Sequence, residues 1–303
     1  MLLLQPISKR RIWGTNRLHQ FSGDPVVEKI GSVYTVSAIP EINTKIMNGE
    51  FSGQGLYDVV KENPALFGLE DGEEYPIIVS ITGADEDLSI QVHPTDDYAK
   101  EHEDAPYGKS ESWYFIEPPE KGWIYAGAKI KEKTVIEEKI KNQKFEEVVN
   151  TLPIQQFDYV FIPSGTLHAL TKGSIVYEIQ QSTDLTYRFY DYDRVDADGN
   201  KRELHLEKAL DTLVPTQVPN KSAFPKDEWK VELPYELLRT NVKGYYKNER
   251  EIAQALTVIG GTLVIENETV QKGSSAVLLP GEEVMIQQEA EVVIATPKRY
   301  WKK

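Results

Sequence analysis

The chain has 303 residues, 40% of them hydrophobic, which exceeds one typical domain and suffices for one or two sizeable cores. Its 48 acidic residues outnumber 34 basic ones for a formal net charge of −14, favouring solubility and arguing against nucleic acid or an anionic membrane surface as partner. There is no cysteine, so a disulfide framework, a thiol nucleophile and a thiolate metal site are all excluded.

Met1-Leu2-Leu3-Leu4-Gln5-Pro6 is too short for the apolar region of a signal peptide, and Lys9-Arg10-Arg11 follows it instead of preceding it. No apolar run reaches membrane-spanning length, so a soluble cytoplasmic protein is expected. β-forming runs predict strands over residues 32–38, 75–82, 112–117, 122–126, 159–162 and 175–180. Helical periodicity marks residues 56–66, with Pro64 dividing the segment or ending it, and residues 206–213. Between residues 134 and 149 two short helices are expected, broken at Asn142, and the charged stretch from Asp96 to Glu103 reads as a solvated helix. Residues 215–230, rich in Pro, Lys and polar side chains, read as a linker or surface crossing. From residue 245 to 297 the signal is nearly all strand, with turns at Gly260-Gly261 and Pro280-Gly281. Two domains are expected, residues 1–232 and 233–303. The second has no histidine and cannot repeat a histidine-based metal site.

Three central segments carry chemistry. Gln91 and His93 are two apart in an alternating run, so on a strand both project from one face, and Pro94 places His93 at the strand's end. Glu111, after Gly108-Lys109-Ser110, opens the run Trp113-Tyr114-Phe115-Ile116. Pro163 and Gly165 fit a turn that delivers His168. Two neutral imidazoles and one carboxylate, with a fourth position for water or an amide oxygen, form an accepted catalytic zinc set, and similar sets hold iron or manganese. Taken singly each residue has a blander reading: a lone strand histidine is usually structural, and an amide is a poor zinc ligand. His19, His102 and His205 read as surface residues. The glycines form neither a phosphate loop nor a dinucleotide fingerprint, so phosphate recognition falls to side chains.

Pro163-x-Gly165-x-x-His168 resembles the second metal motif of the cupin superfamily. With Gln91-x-His93-Pro94, Gly108-Lys109-Ser110-Glu111 and Thr186-Tyr187-Arg188 in order, the chain resembles the type I mannose-6-phosphate isomerases, short bacterial form, co-linearly from Ile12-Trp13-Gly14 to about Leu210. The resemblance implies a mainly β fold: a cupin-like jelly-roll barrel with a few flanking helices, and a smaller C-terminal cupin-like β domain. It implies one Zn2+ per chain and interconversion of mannose 6-phosphate and fructose 6-phosphate through an enediol. The family's metal ligands match Gln91, His93, Glu111 and His168, its catalytic arginine matches Arg188, and its active-site lysine and glutamate match Lys109 and Glu178. Either Glu178 or Lys109 then serves as the base. Lys109 equally suits a phosphate or hydroxyl contact, Glu178 a carboxylate orienting a ligand, and Arg188 a structural Arg–Asp pair. The expected partner is a small-molecule sugar phosphate, with monomer or homodimer left open. The rival readings are another cupin metalloenzyme, an iron dioxygenase or a different sugar isomerase, and a non-catalytic sugar-binding cupin. Two departures stand out: Gly31-Ser32-Val33-Tyr34 where family members commonly read Gly-Glu-x-Trp, and Phe157 where a glycine often precedes the Pro-x-Gly turn.

Overall fold

The computed structural model describes residues 1–195 and 199–301, and they form a mainly β fold of antiparallel sheets with four short α-helices among them. Two compact units emerge. One comprises Ile12–Gly14 and Gly83–Ala223, the other Met1–Arg11, Thr15–Thr82 and Phe224–Lys303. This division differs from the expected one at residue 232, because the N-terminal strands group with the C-terminal ones.

The unit built on Gly83–Ala223 contains a five-stranded sheet in the order Val149–Pro153, Trp123–Ala128, His168–Ala169, Ile90–Val92 and Tyr187–Tyr190. A second set of strands runs Asn220–Ala223, Asp158–Ile162, Glu111–Glu117, Ile175–Gln181. Alternation decides which side chains face the core. Trp113 and Phe115 lie in the buried cluster with Ile90, Val92, Val176, Leu167 and Trp13. Helix Lys133–Lys141 buries Ile136 and Ile140, four apart on one stripe. The break expected at Asn142 has a local cause, since its side-chain amide donates to the Glu138 carbonyl at 2.9 Å and closes the helix end. The expected helix over residues 56–66 splits at its proline into helix Leu56–Glu62 and the 3₁₀ turn Pro64–Phe67.

The other unit is dominated by a nine-stranded sheet in which Leu2–Gln5 pairs with Ser275–Leu278, Leu2 opposite Val277. Its longest strands, Tyr235–Lys247 and Glu283–Pro297, run antiparallel over most of their length. Ser32, one of the two departures, is buried on the strand Ile30–Val36 and its hydroxyl lies 2.9 Å from that of Thr82. The reading of residues 215–230 as a linker is corrected here: Asn220–Ala223 and Trp229–Val231 are strands. Both are largely solvent-facing, so backbone pairing holds them without an apolar alternation to announce it. No helix of the described residues is long and apolar enough to cross a membrane.

Candidate metal centre

Register places the first donors. On the five-stranded sheet His168 is directly opposite Gln91, and Gln91 is directly opposite Arg188. Directly opposed residues share a face, so the three side chains form one row across three strands. His93 follows Gln91 by two and keeps its parity. The Gln91 amide is 3.4 Å from His168 Nε2, and the two Nε2 atoms of His93 and His168 are 3.2 Å apart.

Glu111 enters from the facing strands as the first residue of Glu111–Glu117. Its Oε1 is 3.2 Å from His168 Nε2, and its Oε2 is 3.5 Å from His93 Nε2 and 3.3 Å from Lys109 Nζ. All four of these groups are buried, Glu111 and His93 to 1% exposure and His168 to 0%.

The protons can be located. His93 Nδ1 lies 2.9 Å from the Leu185 carbonyl and His168 Nδ1 lies 2.8 Å from the Thr166 carbonyl. A carbonyl only accepts, so each Nδ1 donates and each Nε2 presents a lone pair to the centre. Burial, with help from the Lys109 charge, pushes the His93 imidazole down to about 3, so it is neutral at working pH. Burial opposes ionisation of Glu111, but Lys109 and the imidazoles hold its carboxyl well below the ordinary carboxylate range. With the rings neutral, two nitrogen lone pairs and a carboxylate converge on one point, and Glu111 Oε1 is buried without a hydrogen-bond partner.

Such a cluster of acceptors suits a cation. Donors about 2.0–2.1 Å from a tetrahedral ion stand roughly 3.4 Å from one another, and three pairs here are spaced near that: the two Nε2 atoms at 3.2 Å, Glu111 Oε1 and His168 Nε2 at 3.2 Å, and Glu111 Oε2 and His93 Nε2 at 3.5 Å. His93, Glu111 and His168 have ligand atoms within 4.8 Å of one another and can hold a metal ion.

Two glycines shape the approach. A Cβ on Gly108 would stand 2.3 Å from the Thr95 carbonyl carbon and 2.4 Å from the Pro94 oxygen, so only glycine lets the Lys109 segment pass. Gly165 has φ of +83°, and its N–H donates to the His93 carbonyl at 2.8 Å, which ties the turn before His168 to the end of the Gln91 strand.

Sequence reasoning missed the residues that brace these segments. Asp96 Oδ1 accepts from Gly108 N at 2.8 Å and from the Gln181 amide at 2.9 Å, while Gln181 Oε1 accepts from Ser110 N at 2.7 Å. Trp113 donates from Nε1 to Glu178 Oε2 at 2.8 Å and sets its ring edge-on to His168 at 5.5 Å. Thus Glu178 is linked to the cluster through the indole and Lys109 through Glu111. The Arg188 guanidinium donates from Nη1 to the Glu203 carbonyl at 2.6 Å. Phe157, the other departure, has φ of +71°, which explains a glycine there in the family pattern. Here the left-handed backbone, unfavourable by roughly 1–2 kcal/mol for a side-chain-bearing residue, is offset by stacking on Tyr114 at 6.2 Å.

Residues 1–120 match the sequence profile of the phosphomannose isomerase type I catalytic domain. Mannose-6-phosphate isomerase ManA of Bacillus subtilis is 35% identical over 220 residues, which is 73% of this chain and 70% of that protein. The mannose-6-phosphate isomerase of Streptococcus mutans is 38% identical over 213 residues, 70% of this chain and 67% of that protein. The crystal structure of the mannose 6-phosphate isomerase from Bacillus subtilis superposes with a TM-score of 0.85 at 29% identity, covering 97% of this chain and 99% of that one.

Proposed function

The chain belongs to the type I mannose-6-phosphate isomerase family, and from that premise we propose that it interconverts mannose 6-phosphate and fructose 6-phosphate through an enediol, with one zinc ion held by Gln91, His93, Glu111 and His168. The observation that carries the proposal is the convergence of two imidazole lone pairs and a buried carboxylate, each imidazole fixed in its tautomer by a main-chain carbonyl. A zinc ion in that position supplies Lewis-acid polarisation of sugar oxygens.

The remaining work falls to the chain's own side chains. The reaction removes a proton from C2 of the open-chain aldose and returns one to C1, while the C1 oxygen gains the proton that the C2 oxygen loses. Glu178 is the favoured acceptor for the carbon-bound proton, because the Lys109 ammonium is engaged with Glu111 at 3.3 Å. The Trp113 indole fixes the Glu178 carboxylate in place. Arg188 supplies permanent positive charge for the enediolate oxygens or the phosphate, and Lys109 offers ammonium donors to the same groups. Burial of Lys109 and Glu111 excludes water from that side of the cluster.

The test is conversion of mannose 6-phosphate to fructose 6-phosphate by purified protein before chelation, after chelation, and after zinc is restored. The proposal expects turnover that chelation removes and zinc returns. Metal-loaded protein that binds the sugar without converting it would overturn it.

A further inference from the structure

We infer that His205 is a positioning residue for Arg188, an imidazole that stands in for the missing neighbouring strand at the sheet edge and holds Arg188 only in its neutral form. The inference rests on the isomerase reading, since it concerns how one of the proposed site's charges is placed.

The strand Tyr187–Tyr190 is the last of its sheet, with Ile90–Val92 on one side and an open edge on the other. At that edge Arg188 makes a complete strand-like pairing with one residue. The His205 N–H donates to the Arg188 carbonyl at 2.8 Å, and the Arg188 N–H donates to His205 Nδ1 at 3.0 Å. The ring nitrogen takes the place a backbone carbonyl would hold in a ladder. Two residues earlier, the Glu203 carbonyl accepts from the Arg188 guanidinium. Segment 203–205 therefore grips Arg188 at its N–H, its C=O and its side chain.

Both ends of that segment are anchored. Arg202 donates to both carboxylate oxygens of the buried Asp191, at 2.7 and 2.5 Å. The His205 carbonyl accepts from Ala209 N at 2.8 Å and starts helix Leu206–Thr212. The grip matters because register slips just beyond Arg188: Arg188 opposes Gln91, but Tyr190 opposes Ile90. That bulge puts Tyr190 on the opposite sheet face from Arg188, so a fixed Arg188 defines where the strand turns over.

For Nδ1 to accept, the ring proton must sit on Nε2. A second proton on Nδ1 would confront the Arg188 N–H donor to donor and break the bond. The charged groups around the ring are Arg188 on its strand, Glu203, whose Oε2 is 4.0 Å from Nε2, Lys208 on the following helix, and Glu103 at the end of helix Asp96–His102. The Tyr187 ring packs edge-on at 6.4 Å. Burial first, then Arg188, lowers the imidazole below its ordinary 6.5, so His205 is neutral at pH 7 and charges only in acid.

The test combines kinetics with a readout independent of turnover. In kcat and KM for mannose 6-phosphate from pH 5.5 to 8, His205→Ala is expected to lose about 10- to 100-fold in kcat/KM, chiefly in kcat. His205→Asn, which keeps an acceptor near Nδ1 but does not titrate, is expected to regain most of that loss and to flatten the acid limb of the profile. In parallel, the backbone amide resonance of Arg188 is followed by NMR through the same pH range, and is expected to shift with the His205 titration in wild type and to stay still in His205→Asn. A folded His205→Ala with wild-type kcat/KM and pH profile, or an Arg188 amide that ignores the His205 titration, overturns the inference. Wild-type protein without turnover overturns the isomerase reading instead, and the Arg188 amide then decides the positioning claim alone.

Discussion

His93 and His168 face each other through Nε2: these atoms stand 3.2 Å apart, and each ring donates from Nδ1, on its far side, to a carbonyl, which in a neutral ring leaves Nε2 with a lone pair. Two lone pairs at that distance repel unless a cation lies between them. Replacing either imidazole therefore removes the reason for the arrangement.

His168→Ala is expected to abolish stoichiometric zinc binding and to lower turnover by at least about three orders of magnitude. Metal content after gel filtration and the isomerase assay check this together. A His168→Ala protein that keeps both metal and turnover would remove the site as assigned.

Lys109 is the nearest counter-charge to the buried Glu111 carboxylate. Lys109→Met leaves that carboxylate uncompensated, a loss of about 3–5 kcal/mol where nothing else neutralises it. A bound divalent ion supplies the missing charge. The unfolding midpoint of Lys109→Met is thus expected to fall steeply with chelator and much less with saturating zinc, while turnover is lost in both. Equal destabilisation in the two conditions would separate Lys109 from the metal's electrostatics.

Gly108→Ala places a methyl group 2.3–2.6 Å from the backbone of Pro94, Thr95 and Asp96. None of these is a flexible side-chain end, so the loop must shift. Urea unfolding is expected to show a loss of about 1–3 kcal/mol, with kcat reduced because Lys109 and Glu111 move with the loop. An unchanged kcat would mean that the loop relaxes without carrying the two residues along.

Acid acts on the metal-free protein with a definite sign. The folded His93 titrates at about 3 and an unfolded one at about 6.5, so between those values the unfolded chain binds a proton that the folded chain refuses. Stability of chelated protein is expected to fall as pH drops below 6.5, by up to roughly 1.4 kcal/mol per pH unit from this group, and Glu111 adds a loss of the same sign below its ordinary range. Urea midpoints at pH 7, 6 and 5 give the slope, and His93→Asn should remove most of it. A flat midpoint over that range in wild type would contradict the buried neutral imidazole.

Much of the site was legible because its signals are local. The spacing of Gln91 and His93, the glycine and proline around His168 and the run after Glu111 each follow from strand parity or turn chemistry. The carbonyls of Leu185 and Thr166 that set the tautomers were not legible, because every residue has a carbonyl and only the fold aims it. His205 shows the same limit. Read as a surface residue, it is half-buried against Arg188, a partner 17 positions away that no local pattern connects to it. The N-terminal strands were missed for another reason: Ile7–Thr15 is half exposed and carries Lys9, Arg10 and Arg11, so its charges hid its pairing with Ile30–Val36.

The chain enters the unit that holds the His93–Glu111–His168 group at Gly83 and leaves it at Ala223, with strands of the other unit on both sides in sequence. Three residues remote in sequence belong to the same unit: Ile12–Gly14, with Trp13 in its core and the Trp13 carbonyl accepting the Asp85 N–H at 2.9 Å. A fragment cut at residues 83 and 223 would therefore carry every proposed ligand yet lack the core side chain of Trp13. A fragment ending at residue 232 would fare worse elsewhere, leaving Leu2–Gln5 without its partner strand Ser275–Leu278.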